Sequence, residues 1–193
     1  MIQDKISILK FLWKSGPFHH FFKDNIPQFL ESLECLKDFS SYDLAILSQY
    51  LFVRDFEKEE SIFNQEDLGI GMYFIFSGKI KLFIEESSSF NFIDLLGQQE
   101  GACYEVVLQE KEAFGELALL QKRGIRHASA MALEKTTLLG LYRPDLEKIK
   151  ESHPKVALKI FEMIAHTVTD RLILMTELYR KTFQDLNIPK KEK

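Results

Sequence analysis

The sequence is poor in the residues that staple, anchor or export a protein. Its two cysteines, Cys35 and Cys103, fall in unlike segments of a chain of 193 residues. That placement makes a reduced, cytoplasmic protein the simplest reading. No apolar run reaches the roughly 20 residues of a membrane-spanning helix. No signal-peptide pattern precedes the first periodic segment, so no membrane partner is expected. The 25 Lys and Arg against 29 Asp and Glu give a net charge of −4, the wrong sign for a nucleic-acid surface. The basic cluster that does occur, Lys190-Lys191-Glu192-Lys193, reads as a frayed end. There is no internal repeat and no low-complexity segment.

Catalytic patterns are missing too. The five histidines are His19, His20, His127, His153 and His166. None falls in the close strand pairs that hold a metal in cupin-type dioxygenases, and adjacent His19 and His20 cannot share one helix face. No Ser-His-Asp or Cys-His arrangement is suggested. No enzyme activity, no catalytic residue and no metal is expected.

What is present is the make-up of a globular protein, 46% apolar and 28% charged, with 17 Phe that favour a sheet-rich core. The length suits one compact domain with helical additions. Residues 1–50 read as a helical segment. Ile6, Ile8, Leu9, Leu12 and Trp13 form a stripe ended by Ser15-Gly16-Pro17, and Ile26, Phe29, Leu30, Leu33 and Leu36 recur at helical spacing. Phe11, Trp13, Phe18, Phe21 and Phe22 either pack onto the rest or form a docking surface. Ser40-Ser41-Tyr42-Asp43 looks like a helix cap.

From Phe52 the pattern changes to short strands: Phe52–Phe56, Ser61–Asn64, Met72–Phe76, Lys79–Ile84, Phe92–Leu96, Tyr104–Leu108, His127–Leu133 and Thr137–Tyr142. Ser77-Gly78 carries a hairpin signal. Regular turns between short strands predict a jelly-roll-like β-roll over 51–142. Arg143-Pro144-Asp145 then opens a helix, and His153-Pro154 restarts a long one to about Gln184. Its stripe, Phe161, Ile164, Val168, Leu172, Met175, Leu178 and Tyr179, can pack on the roll or pair with a second copy, although Arg171 interrupts the seam. The expected fold class is therefore α+β, mainly β, with an N-terminal helical segment, long C-terminal helices over 143–186 and a tail over 187–193.

One run carries most of the functional information: Phe114-Gly115-Glu116-Leu117-Ala118-Leu119-Leu120, then Arg126-His127-Ala128-Ser129. A Gly turn opens a very short helix whose first amides lack partners and attract anions. Arg126 returns from a nearby loop with a cationic fork that suits a phosphate. Glu116 beside a phosphate makes sense if the ligand also offers a hydroxyl donor, as ribose does. The bland alternative is an ordinary turn and a surface cation.

That run also resembles the phosphate-binding cassette of the cyclic nucleotide-binding domain family, and Ile62-Phe63-Asn64 to Ile84 is similar to the family's early strands. The resemblance covers about Leu33 to Lys181. It implies that Glu116 takes the ribose 2′-hydroxyl, and that Arg126 and the amides of Gly115, Glu116, Leu117 and Ala118 take the cyclic phosphate. It implies cAMP as the ligand, with cGMP the alternative, and no further cofactor. His127 follows the Arg, where family members often have Ala, Thr or Ser; it either donates to the phosphate when protonated or crowds the pocket. The resemblance places a base lid near Met175, Thr176 and Tyr179.

Two departures stand out. Family turns often carry Gly where this chain has Glu59 and Glu66, which bears on backbone strain. The chain also stops soon after its long helix, so a DNA-reading helix-turn-helix is not expected. The implied function is a stand-alone cyclic nucleotide-binding regulator that signals to a protein effector, and that forms a homodimer if its long helix pairs. The alternative is a ligand-free interaction scaffold with a degenerate fold.

Overall fold

A computed structural model describes residues 25–84, 105–121 and 124–185. The expected first helix, the aromatic run from Phe18 to Phe22 and the strand over 92–96 lie outside the described residues, as do Cys103 and the tail.

The chain enters through α1 (Ile26–Glu31), a 3-10 turn (Glu34–Leu36) and α2 (Ser41–Ser48). Ser40 caps α2 reciprocally. Its hydroxyl accepts from the Asp43 amide at 3.3 Å, and the Asp43 carboxylate accepts from the Ser40 amide at 2.9 Å. Eight strands follow among the described residues: β1 (Leu51–Phe56), β2 (Ser61–Phe63), β3 (Gly71–Ser77), β4 (Lys79–Phe83), β5 (Glu105–Gln109), β6 (Ala113–Phe114), β7 (Ser129–Ala132) and β8 (Thr136–Tyr142). They form two four-stranded antiparallel sheets, ordered β1-β8-β3-β6 and β2-β7-β4-β5. A short helix, α3 (Leu117–Leu120), interrupts the roll, and α4 (Arg143–Ser152) and α5 (Pro154–Asp185) close the described chain. The expected mainly β fold with a long C-terminal helix is the fold observed.

The hairpin expected at Ser77-Gly78 is a corner instead. β3 pairs with β6 and β8, β4 pairs with β5 and β7, and the chain changes sheets between them. Gly78 has φ +93°, and a Cβ there would meet Thr136 Oγ1 at 2.5 Å, so only Gly makes the corner. The turn chemistry is common to both arrangements, and sequence alone does not separate a hairpin from a sheet crossing.

Period-2 alternation sends β3 into two cores. Met72 and Phe74 join Leu139 and Leu141 against Leu30, Leu47, Ile149 and Ile160 of the helices. Tyr73 and Ile75 face the other way, with Phe56, Ile80, Phe114 and Leu138 between the sheets. Lys159 ties α5 to the entry segment, donating to Asp43 Oδ2 at 2.6 Å and to the Asp38 carbonyl at 3.0 Å.

Glu59 and Glu66 adopt φ of 68° and 69°, so both turns keep the left-handed backbone that Gly would favour.

Candidate functional site

β6 delivers the cassette. Phe114 is fully buried between the sheets, and Gly115 then turns with φ +77°. Gly is required there, because a Cβ would lie 2.6 Å from Arg126 Nη1. α3 follows, fixed by buried Ala118 and Leu119. The Ala118 amide donates to the Gly115 carbonyl at 3.2 Å and the Leu119 amide to that of Glu116 at 2.9 Å.

Arg126 is not a surface cation: it is 5% exposed. Nη1 donates to the Gly115 carbonyl at 3.0 Å and Nη2 to the Gly71 carbonyl at 2.8 Å. The guanidinium lies over the Phe63 ring at 3.9 Å. Burial pulls its pKa below the usual guanidinium value, opposed by the nearby Tyr73 and Glu116. Its position is fixed through the backbone as well, by the Arg126 amide to the Asp67 carbonyl and the Glu66 amide to the Arg126 carbonyl, both at 2.9 Å.

Glu116 is 3% exposed, and its Oε1 accepts from Arg171 Nη1 at 2.6 Å. Glu116 Oε2 and Arg126 Nε are buried without a hydrogen-bond partner among the described residues. Such atoms are rare in a folded protein and call for an explanation. Both residues line a cavity of about 120 Å³ together with Leu117, Ala118, His127 and Arg171. A larger groove of about 600 Å³, between the 3-10 turn and α5, is lined by Ala113 and Arg171 next to the cassette but by none of the described residues from Phe114 to Ser129.

His127 is exposed on a bend before β7, not on a strand as its sequence neighbours suggest. Its Nε2 lies 2.9 Å from Gln121 Nε2 and 3.2 Å from Gln121 Oε1, so Gln121 can meet either tautomer. Ser129 is buried and accepts from the Gln65 amide at 2.8 Å, a structural role.

Met175, Thr176 and Tyr179 lie on α5, and the Thr176 hydroxyl donates to the Leu172 carbonyl at 2.8 Å. Among the described side chains, neither Met175 nor Thr176 lines the cavity, whereas Arg171, one turn earlier on α5, does. Sequence reasoning missed Arg171 as a cassette partner. The signal was present, as a single arginine breaking an otherwise apolar stripe. Arg143, which donates from Nη2 to the carbonyls of Ala118 and Gln121, left no such signal.

A β-roll with a buried Arg and Glu around a short interrupting helix defines a ligand-binding module. The cyclic nucleotide-binding domain matches residues 53–153, just over half of the chain. The cyclic AMP receptor protein of Thermus thermophilus is 35% identical over 128 residues, 66% of this chain and 53% of that protein. The chain thus spans about half of that receptor's length. The crystal structure of the Thermus thermophilus catabolite activator protein superposes with a TM-score of 0.57 and 28% identity, covering 75% of this chain and 62% of that one. A cyclic nucleotide-binding domain from Methylobacillus flagellatus superposes with a TM-score of 0.66 over 93% of this chain and 97% of its own, at 13% identity, which speaks to the fold alone. The chain belongs to the cyclic nucleotide-binding domain family.

Proposed function

We propose that this protein binds cAMP at the cassette and signals to a partner protein through its C-terminal helices. In this reading residues 51–142 form the nucleotide-binding unit and 143–186 the responding one. The carrying observation is the pairing of Glu116 and Arg126 around one cavity, each with a buried polar atom lacking a partner. Arg126 supplies the charge for the phosphate, with the turn at Gly115 and the amides of Glu116, Leu117 and Ala118 around it. Glu116 supplies the acceptor for the 2′-hydroxyl, and His127 stands at the rim. The name of the Thermus thermophilus receptor supports cAMP over cGMP.

The size of the seat supports a helix shift. Its volume is about 120 Å³, whereas small-molecule sites run from about 300 Å³ upward. A nucleotide would extend beyond a seat of this size toward α5, and movement of α5 over it would complete the site. Closure over the base would then bring Met175, Thr176 and Tyr179 to the ligand. A ligand shifts such an equilibrium only by binding one arrangement better. Leu172, Ile173 and Leu174 of α5 are 66%, 53% and 55% exposed, spread around more than half of the helix, and a second copy would cover part of that apolar surface. Sedimentation equilibrium at micromolar concentration tests the dimer.

Thermal unfolding with cAMP and with cGMP tests the ligand, since binding to the native state raises the midpoint. A rise with cAMP supports the reading; no shift with either nucleotide at millimolar concentration overturns it. One observation favours the second reading, a ligand-independent scaffold: Arg126 and Glu116 are already engaged by the chain's own groups. The same experiment separates the two.

A further inference from the structure

Two arginines outside the cassette grip it from the C-terminal helices. Arg143, the first residue of α4, donates from Nη2 to the Ala118 carbonyl and, at 2.7 Å, to the Gln121 carbonyl. These carbonyls close the last turn of α3, where helix carbonyls lack intrahelical partners and a cation is favoured. Arg171, midway along α5, donates from Nη1 to Glu116 Oε1 at 2.6 Å and from Nη2 to the Ala113 carbonyl at 2.5 Å. The cassette is therefore held at its exit by one helix and at its entry by the next.

The two grips differ in what they hold. Both acceptors of Arg143 are backbone carbonyls, which no ligand group would share. Arg171 holds one oxygen of a carboxylate whose other oxygen, Oε2, is buried and bare. A guanidinium fixed at two acceptors fixes the carboxylate in turn. Without Arg171, nothing described in the structure holds the Glu116 carboxylate to one orientation, and its charge sits buried with no cation hydrogen-bonded to it.

We propose that Arg143 and Arg171 are positioning residues of the nucleotide site with unequal duties. Arg143 is a fixed anchor for α3, indifferent to the sugar. Arg171 holds Glu116 so that Oε2 meets a ligand hydroxyl, and thereby ties sugar recognition to α5. This rests on Glu116 being the hydroxyl acceptor.

The test is calorimetry of cAMP and 2′-deoxy-cAMP on the wild type, Arg143→Ala and Arg171→Ala. The wild type is expected to prefer cAMP by about tenfold, the worth of one hydrogen bond to a charged acceptor. Arg143→Ala is expected to weaken both ligands by a similar factor and to keep that preference. Arg171→Ala is expected to bring the preference close to one. Arg143→Lys, which keeps a cation near the carbonyls, replaces the alanine variant if that variant fails to fold, and should also keep the preference. The proposal is overturned if Arg171→Ala keeps the full preference, if it binds cAMP more tightly than the wild type, or if Arg143→Ala leaves both affinities unchanged. A wild type that binds neither nucleotide overturns the cAMP reading itself, and that result shows in the wild-type arm alone.

Discussion

Arg126 lies over Phe63, its guanidinium carbon 3.9 Å from the ring centroid, while its two terminal nitrogens hold the carbonyls of Gly115 and Gly71. The side chain that resembles the family's phosphate ligand is thus also a strut between β3 and the cassette. Arg126→Ala strands both carbonyls and should lower stability by about 1–3 kcal/mol. It should also weaken cAMP binding at least tenfold, since truncating a buried charge-assisted contact costs about 2–5 kcal/mol. Arg126→Lys keeps the charge but cannot span both carbonyls, so it too should melt earlier. Thermal unfolding without ligand reads the strut and calorimetry reads the phosphate contact. An unchanged midpoint would reject the first role, and unchanged affinity the second.

Glu59 and Glu66 hold left-handed backbone at φ 68° and 69°. A non-Gly residue there costs about 1–2 kcal/mol, of which Gly returns part as unfolded-state entropy. Glu59→Gly and Glu66→Gly should therefore each raise the melting midpoint by about 1–3 °C for a chain of this size. A fall in either midpoint would show that the Glu side chain contributes more than the backbone loses.

Asp43 links α2 to α5. Burial alone would raise its pKa, but the Lys159 ammonium at 2.6 Å and the Ser40 amide and hydroxyl outweigh burial and hold it below the ordinary carboxylate value. A depressed folded-state pKa contributes stability that is complete above the unfolded value of about 3.9 and is lost as pH falls through the folded one. Asp43→Asn should therefore be less stable than the wild type by a constant margin from about pH 5 to 8, and the margin should close below about pH 4. Parallel urea melts across that range measure it. A margin that widens in acid would contradict the assignment.

Cys35 is half-buried beside Phe39 and Met163, and burial pushes its thiol up to about 11. Since the thiolate is the reactive form, iodoacetamide at pH 7.5 should label the Cys35 peptide slowly in the native protein and at an ordinary rate in urea. Mass spectrometry of the two digests decides it. Equal rates would mean that the segment around the 3-10 turn opens readily.

The fold was legible because its signals are local. Ser40 and Asp43 form a capping box in four residues, and Gly78 and Gly115 mark backbone that only Gly takes easily. Short strands with regular turns pointed to a roll. Which strands pair was not legible: Ser77-Gly78 carries the same chemistry for a hairpin and for a sheet crossing. At the site, the short run from Phe114 to Ser129 placed Gly115, Glu116 and Arg126 around one cavity. Arg143 stayed hidden, because it reaches the cassette from 25 residues away and nothing in its own neighbourhood says so; Arg171 reaches it from 55 residues away, and its one local sign is the break it makes in an apolar stripe.

The corner at Gly78 also bears on how the chain is made. Because β3 does not fold back on β4, none of β1, β2 and β3 pairs with the strand that follows it among the described residues. Leu51 of β1 waits for Leu141 of β8, the last strand of the roll. On the ribosome, an apolar ribbon therefore stays open until almost the whole roll has been translated. Such late, distant closure slows folding and leaves edges exposed to aggregation meanwhile. Truncation before Tyr142 should leave an insoluble fragment rather than a smaller roll.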